Sequence, residues 1–211
     1  MAKRKKANNM KYIGDVVYDY ARGLYINMTN KCPCRCEFCI RNMTDSLGGA
    51  DSLWLKEEPS ADYVIQFLNE EWNLKLYDEV VFCGYGEPTE RMDVLLEVAK
   101  WVKENTRLKV RINTNGLGNL INNRRIEPEL EGLIDAVSVS LNHSSAEKYV
   151  DLCHPKFGLQ SYDALIDFTR EAKKYVPDVQ MSVVDSGDLT REDIEICRKI
   201  TKDLGVRFRV R

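Results

Sequence analysis

Four of the chain's seven cysteines fall within eight positions, in the stretch Asn30-Lys31-Cys32-Pro33-Cys34-Arg35-Cys36-Glu37-Phe38-Cys39. Thiolates held this close repel one another unless a metal neutralises them or they oxidise to disulfides. Cys32, Cys36 and Cys39 have the spacing Cys-x3-Cys-x2-Cys. Soft thiolates on one short loop suit an iron–sulfur cluster. All four could instead close a structural zinc site, although such sites usually draw ligand pairs from two separated points. An odd total leaves a purely disulfide framework with an unpaired thiol.

Two further stretches carry polar or flexible residues at strand ends. In Cys83-Gly84-Tyr85-Gly86-Glu87-Pro88-Thr89 the glycines allow close backbone approach, and Glu87 offers an acceptor for an ammonium group. The same residues would also make an ordinary strand-to-helix turn. In Arg111-Ile112-Asn113-Thr114-Asn115-Gly116 a polar strand end meets a glycine stop.

The elements that must position these residues follow from hydrophobic periodicity. A hairpin is expected from residues 12–20 and 24–28, delivering the chain to the cysteines. Residues 42–58 show no period and read as a long loop, the kind that is functional or disordered. Ser60 is placed to cap a helix with Val64, Phe67, Leu68 and Trp72 on one face. Thr89 is placed to cap a second, with Met92, Leu95, Leu96, Ala99 and Val102 inward. Glu127-Pro128-Glu129 opens a short helix, and Ser161 begins one with Leu165, Phe168, Ala172 and Tyr175 inward. Thr190 begins another with a near capping box. Strands at 24–28, 79–83, 108–115, 136–142, 179–184 and 206–211 alternate with these helices, which implies parallel pairing and an α/β fold.

Parallel strands covered on both faces read as continuous apolar runs. Here they alternate: Arg111, Asn113 and Asn115 share a face, as do Ser138, Ser140 and Asn142, and Arg207, Arg209 and Arg211. If the apolar faces meet the helices, the polar faces line an interior that binds a polar ligand. For the three arginines a second reading is equally open, an exposed edge strand whose charges deter pairing.

The cysteine spacing with Phe38 before the last cysteine resembles the signature of the radical S-adenosylmethionine (SAM) superfamily. The stretch 83–89 is similar to its Gly-Gly-Glu motif, with Tyr85 departing by separating the two glycines. Asn113-Thr114-Asn115-Gly116 resembles a segment common in the family. The resemblance implies a partial (β/α)6 barrel with the N-terminal β-hairpin added, one domain over 11–211 after a flexible basic tail at 1–10. It implies that Cys32, Cys36 and Cys39 hold a [4Fe–4S] cluster, with Cys34 turned away from it. Phe38 would lie against the adenine of SAM, Gly84, Gly86 and Glu87 at its methionine end, and Asn113, Ser138, Ser140 and Asn142 at its ribose and carboxylate. The implied reaction is reductive cleavage of SAM to a 5′-deoxyadenosyl radical, with an electron donor of flavodoxin or ferredoxin type. At a finer level, residues 30–34 and 39–44 look like the small TatD-linked radical SAM group. Six barrel units leave one side open, which suits a peptide or protein substrate.

Composition agrees with a soluble globular protein: 44% hydrophobic, 30% charged, net charge −2. That charge argues against wholesale nucleic-acid or membrane binding. No apolar run approaches the ~18 residues of a membrane span. The basic Lys3-Arg4-Lys5-Lys6 precedes Ala7-Asn8-Asn9 rather than an apolar signal core, so the expected location is cytoplasmic. Among the remaining cysteines, Cys197 shares a helix face with Ile194 and Ile200 and reads as core. Cys83 could face core or cavity. Cys153 and His154 are adjacent and so expected to point apart, and His143 at a strand end is a substrate-site candidate. The rival to an enzyme is a non-catalytic metal-binding module using all four clustered cysteines.

Overall fold

The computed structural model describes residues 14–211; the expected basic tail and Tyr12 lie outside them. Strands β1 (Val17–Tyr20) and β2 (Gly23–Ile26) form the expected antiparallel hairpin, with Ala21 in the left-handed region at φ 52°. From β2 onward the sheet is parallel: β3 (Glu79–Phe82), β4 (Lys109–Thr114), β5 (Ala136–Ser140), β6 (Asp178–Val183) and β7 (Arg207–Val210). Spatial order follows chain order, and β7 does not pair back to β1, so the barrel is partial and open.

Helices α1 (Ala61–Glu71), α2 (Met92–Asn105), α5 (Gln160–Ala172) and α6 (Arg191–Leu204) fall where periodicity places them. Their apolar stripes, including Val64, Leu68, Leu95, Val98, Leu165 and Phe168, cover the sheet's outer face. That face presents Ile26, Phe82, Ile112, Val137, Val139 and Met181, each 1% exposed or less. Burying a side chain of this kind contributes roughly 1.5–3 kcal/mol, so this layer dominates the stability.

Ser60 caps α1 by accepting from the Tyr63 amide, and Thr190 forms a full capping box with Asp193. Thr89 does not cap α2. The Glu87 carboxylate takes that position instead, capping a 3-10 turn over Pro88–Arg91, and α2 begins at Met92. Tyr175 lies beyond the end of α5. Two helices have no counterpart in the periodic reading, α3 (Gly118–Asn122) and α4 (Ala146–Cys153). The first is too short to show a period. In the second, Glu147, Lys148 and Asp151 dilute an apolar face made only of Tyr149, Leu152 and Cys153.

The long loop between Met43 and Ser60 has no regular structure, yet it is tied down along its length. Asn27 Nδ2 donates to Leu53 O at 2.7 Å, and Asn30 exchanges two hydrogen bonds with Leu55. Glu58 accepts from Thr29 and pairs with Lys31 and Arg91. Leu53 and Ala50 form a small second core with Tyr18 and Tyr85 on the inner side of the sheet.

Candidate active site

The cysteine loop leaves β2 and lies across the C-terminal ends of the strands. Two supports hold it. Carbonyls in the last turn of a helix have no partner within the helix; here the amides of Arg35 and Glu37 donate to Cys153 O (3.0 Å) and Leu152 O (3.1 Å) of α4. The Lys156 amide adds a bond to Pro33 O at 2.7 Å. On the other side, Glu87 N donates to Lys31 O at 2.8 Å. A Cβ on Gly86 would stand 2.2 Å from Thr29 O and 2.6 Å from Lys31 O, and one on Gly84 would stand 2.1 Å from Asn27 Oδ1. The glycines of the turn are therefore where the cysteine loop touches the barrel. Tyr85, between them, stacks edge-on against Trp54 and donates to Thr44 O, which holds the long loop over the mouth.

Cys32, Cys36 and Cys39 are partly exposed, whereas Cys34 is 3% exposed. Asn115 Nδ2 lies 3.9 Å from both Cys32 Sγ and Cys34 Sγ. Cys34 packs its sulfur 3.9 Å from the Tyr149 hydroxyl. The neighbouring Cys32 and Cys36 thiols, and then burial, push the Cys34 thiol far up. The accepting Cys36 falls to about 4, first through a bond from Cys153 and then through Cys34. Cys153 is fully buried and also receives Asn142 Nδ2 at 3.5 Å. His154 turns outward to Glu37 at 3.1 Å, so Cys153 and His154 do point apart.

Among the described residues no group of three His, Cys, Asp or Glu side chains is gathered to hold a single metal ion. The donors offered at the loop are thiols alone, spread around one face. That set fits an iron–sulfur cluster better than a zinc ion drawn to about 2.3 Å from each sulfur.

Glu87 is 4% exposed, and its Oε1 accepts from Thr114 Oγ1 (2.6 Å), Thr89 Oγ1 (2.8 Å) and Thr89 N (3.2 Å). Its Oε2 accepts only from Asn115 N at 2.8 Å. Burial raises the carboxyl, and the hydrogen bonds, led by Thr114, oppose the rise. Glu87 thus locks the turn after β3 to the end of β4 and keeps acceptor capacity on Oε2.

Inside the sheet, Asn113, Ser138 and Gln180 are neighbours in register, as are Ser140 and Ser182. Asn113 Oδ1 accepts from Arg111 at 2.7 Å; burial raises the nearby Cys83 thiol, and Asn113 opposes the rise. Ser138 accepts from Gln180 at 3.1 Å. Asn142 closes β5 with φ 59°, and its buried Oδ1 has no partner. Phe38 is partly buried against the main core. His143 is 5% exposed and accepts from the Ser144 amide at 2.8 Å. Burial pushes its imidazole down, with Asp193 pulling it back up.

The sequence pattern of the radical SAM superfamily matches residues 26–200. The chain belongs to the radical SAM superfamily. Curated relatives include the tungsten-containing aldehyde ferredoxin oxidoreductase cofactor-modifying protein of Pyrococcus furiosus, 26% identical over 191 residues, or 87% of this chain and 49% of that protein. GTP 3′,8-cyclase of Corynebacterium glutamicum is 30% identical over 146 residues, 63% of this chain and 34% of that one. The chain thus spans half or less of the length of these relatives. Among solved structures, a radical SAM methyltransferase from Sphaerobacter thermophilus superposes with a TM-score of 0.61 at 15% identity, covering 92% of this chain and 57% of that one. Native anSMEcpe with bound AdoMet gives 0.55 at 17%, covering 88% and 50%. These likenesses establish the radical SAM barrel fold.

Sequence reasoning missed Tyr149 and the role of α4. Ser145 followed by Tyr149, Leu152 and Cys153 at helical spacing is the signal that would have found them.

Proposed function

We propose that this chain is a radical SAM enzyme whose Cys32, Cys36 and Cys39 hold a [4Fe–4S] cluster. The observation carrying this reading is the loop 30–39, a set of partly exposed thiols laid over the polar mouth of a radical SAM barrel. When bound, the cluster supplies an electron for reductive cleavage of SAM to methionine and a 5′-deoxyadenosyl radical, which takes hydrogen from a substrate.

The chain's own residues bind and orient. Glu87 Oε2 accepts the methionine ammonium beside Gly84 and Gly86. Asn113, Ser138, Ser140 and Asn142 take the ribose and methionine carboxylate; the unpartnered Oδ1 of Asn142 supports this. Phe38 lies against the adenine, and the loop pinned by Tyr85 excludes water from one side of the mouth. Residues 11–211 act as a single cytoplasmic domain of the TatD-linked group. Its partners are a flavodoxin- or ferredoxin-type donor and a peptide or protein substrate at the open side.

One observation favours a second reading. Asn115 Nδ2 stands 3.9 Å from both Cys32 Sγ and Cys34 Sγ, so Cys34 lies beside a cluster thiol, as it would in a non-catalytic module using all four cysteines for zinc or a redox cluster. Electron paramagnetic resonance of the reduced, reconstituted protein separates the two. The enzyme reading predicts a change in the cluster signal when SAM is added; an unchanged signal would favour the module.

A further inference from the structure

The interior face of the sheet carries four arginines, and the structure gives them different surroundings. Arg111 is closed by Glu79, with Nε at 2.9 Å and Nη2 at 2.6 Å. Arg207 is closed by Asp178 at the base of the sheet, at 3.0 and 2.5 Å. Both carboxylates on this face are thereby used. Among the described residues no carboxylate pairs with Arg209 or Arg211.

Strand register sets Arg209 beside Ser182, which is beside Ser140. Arg209 and Arg211 are both exposed, and Arg211 Nη2 reaches back across β6 to Ser140 Oγ at 3.5 Å, over the inner face of the sheet. Burial of its guanidinium there, with the like charges of Arg209 and Arg111 nearby, holds it below the usual arginine range. Close by, Ser182 is fully buried and its hydroxyl has no hydrogen-bond partner. Such a group normally finds one, and leaving it unmade costs free energy. Two guanidiniums without counter-ions over an unpartnered hydroxyl form the donor set that suits an oxyanion, since arginine matches planar carboxylate and phosphate oxygens in pairs.

We propose that the open side of this barrel binds its substrate through an oxyanion, a carboxylate or a phosphate, held by Arg209 and Arg211 with Ser182 donating a hydrogen bond. The assignment rests on the proposed enzyme only in calling the guest a substrate; binding itself needs neither cluster nor SAM.

The test is isothermal titration of the reconstituted full chain with inorganic phosphate and, separately, with glutarate, which distinguishes the two oxyanions. The expected result is saturable binding of at least one probe, weakened about tenfold by Arg209→Gln and by Arg211→Gln. Ser182→Ala should weaken it several-fold without lowering the urea midpoint, because that hydroxyl makes no hydrogen bond in the fold. Arg207→Gln should bind as the parent does. Equal weakening by Arg207→Gln would mean diffuse charge and overturn the proposal. So would the absence of binding by either probe, or stoichiometric displacement of the probe by SAM, which would assign the arginines to the carboxylate of SAM. Iron analysis of the same samples reports on the cluster ligands independently.

Discussion

Cys34 and Cys36 are two residues apart, yet one is sealed against Tyr149 and the other keeps access to the mouth. Cys34→Ala is expected to retain a full complement of iron and sulfide after anaerobic reconstitution, at a stability cost of about 1–2 kcal/mol for the lost packing. Cys36→Ala is expected to lose the cluster; equal iron loss in both would support four-cysteine ligation. At Gly86 the constraint is steric. Gly86→Ala would drive a Cβ into two backbone carbonyls, which cannot swing aside as a flexible side chain would. Urea unfolding should show a loss of about 2 kcal/mol. The spacing of the cysteines and the Gly-x-Gly-Glu turn were legible in the sequence because ligand loops and close approaches restrict residue type. The direction of the Cys34 thiol was not, since it depends on Tyr149, 115 residues away.

The strongly periodic helices α1, α2, α5 and α6 were legible from the chain, and side-chain caps mark α1 and α6. The hidden one was α4, eight residues long with charges on most of its surface, although its final carbonyls carry the cysteine loop. The long loop shows why lack of period is not lack of order: its ties are single side chains such as Asn27, Asn30, Glu58 and Tyr85. Tyr85→Ala should raise the hydrogen-exchange rate of residues 44–58 without altering that of the β4–β6 amides. A second element-scale prediction concerns the cap of α6. Asp193 is held well below the usual carboxylate range, first by Lys148, then by Ser144 and Thr190. A folded carboxyl that titrates below its unfolded value of 3.8 stabilises the fold above that pH and loses the contribution as pH falls through it. Asp193→Asn should therefore flatten the acid limb of stability below about pH 4, read from urea midpoints.

For the molecule as a whole, alternation of apolar and polar residues along β4 and β5 predicted a sheet with a dry outer face and a polar inner one. The structure has that arrangement, with Ile112, Val137 and Val139 under the helices and Asn113, Ser138 and Ser140 opposite. The three arginines of β7 could not be assigned from alternation alone, because an edge strand and a lumen wall share the same period. In the structure β7 is the exposed edge strand and Arg211 also reaches Ser140 across β6, so both readings describe it. No helix among the described residues is long and apolar enough to cross a membrane. The central claim, that the thiol loop and the polar barrel face together serve SAM cleavage, is tested most directly by one assay. Anaerobically reconstituted protein, reduced with dithionite and given SAM, should form 5′-deoxyadenosine only when both reductant and cluster are present, and Cys36→Ala should form none. An intact, reduced cluster that yields no 5′-deoxyadenosine would contradict the account.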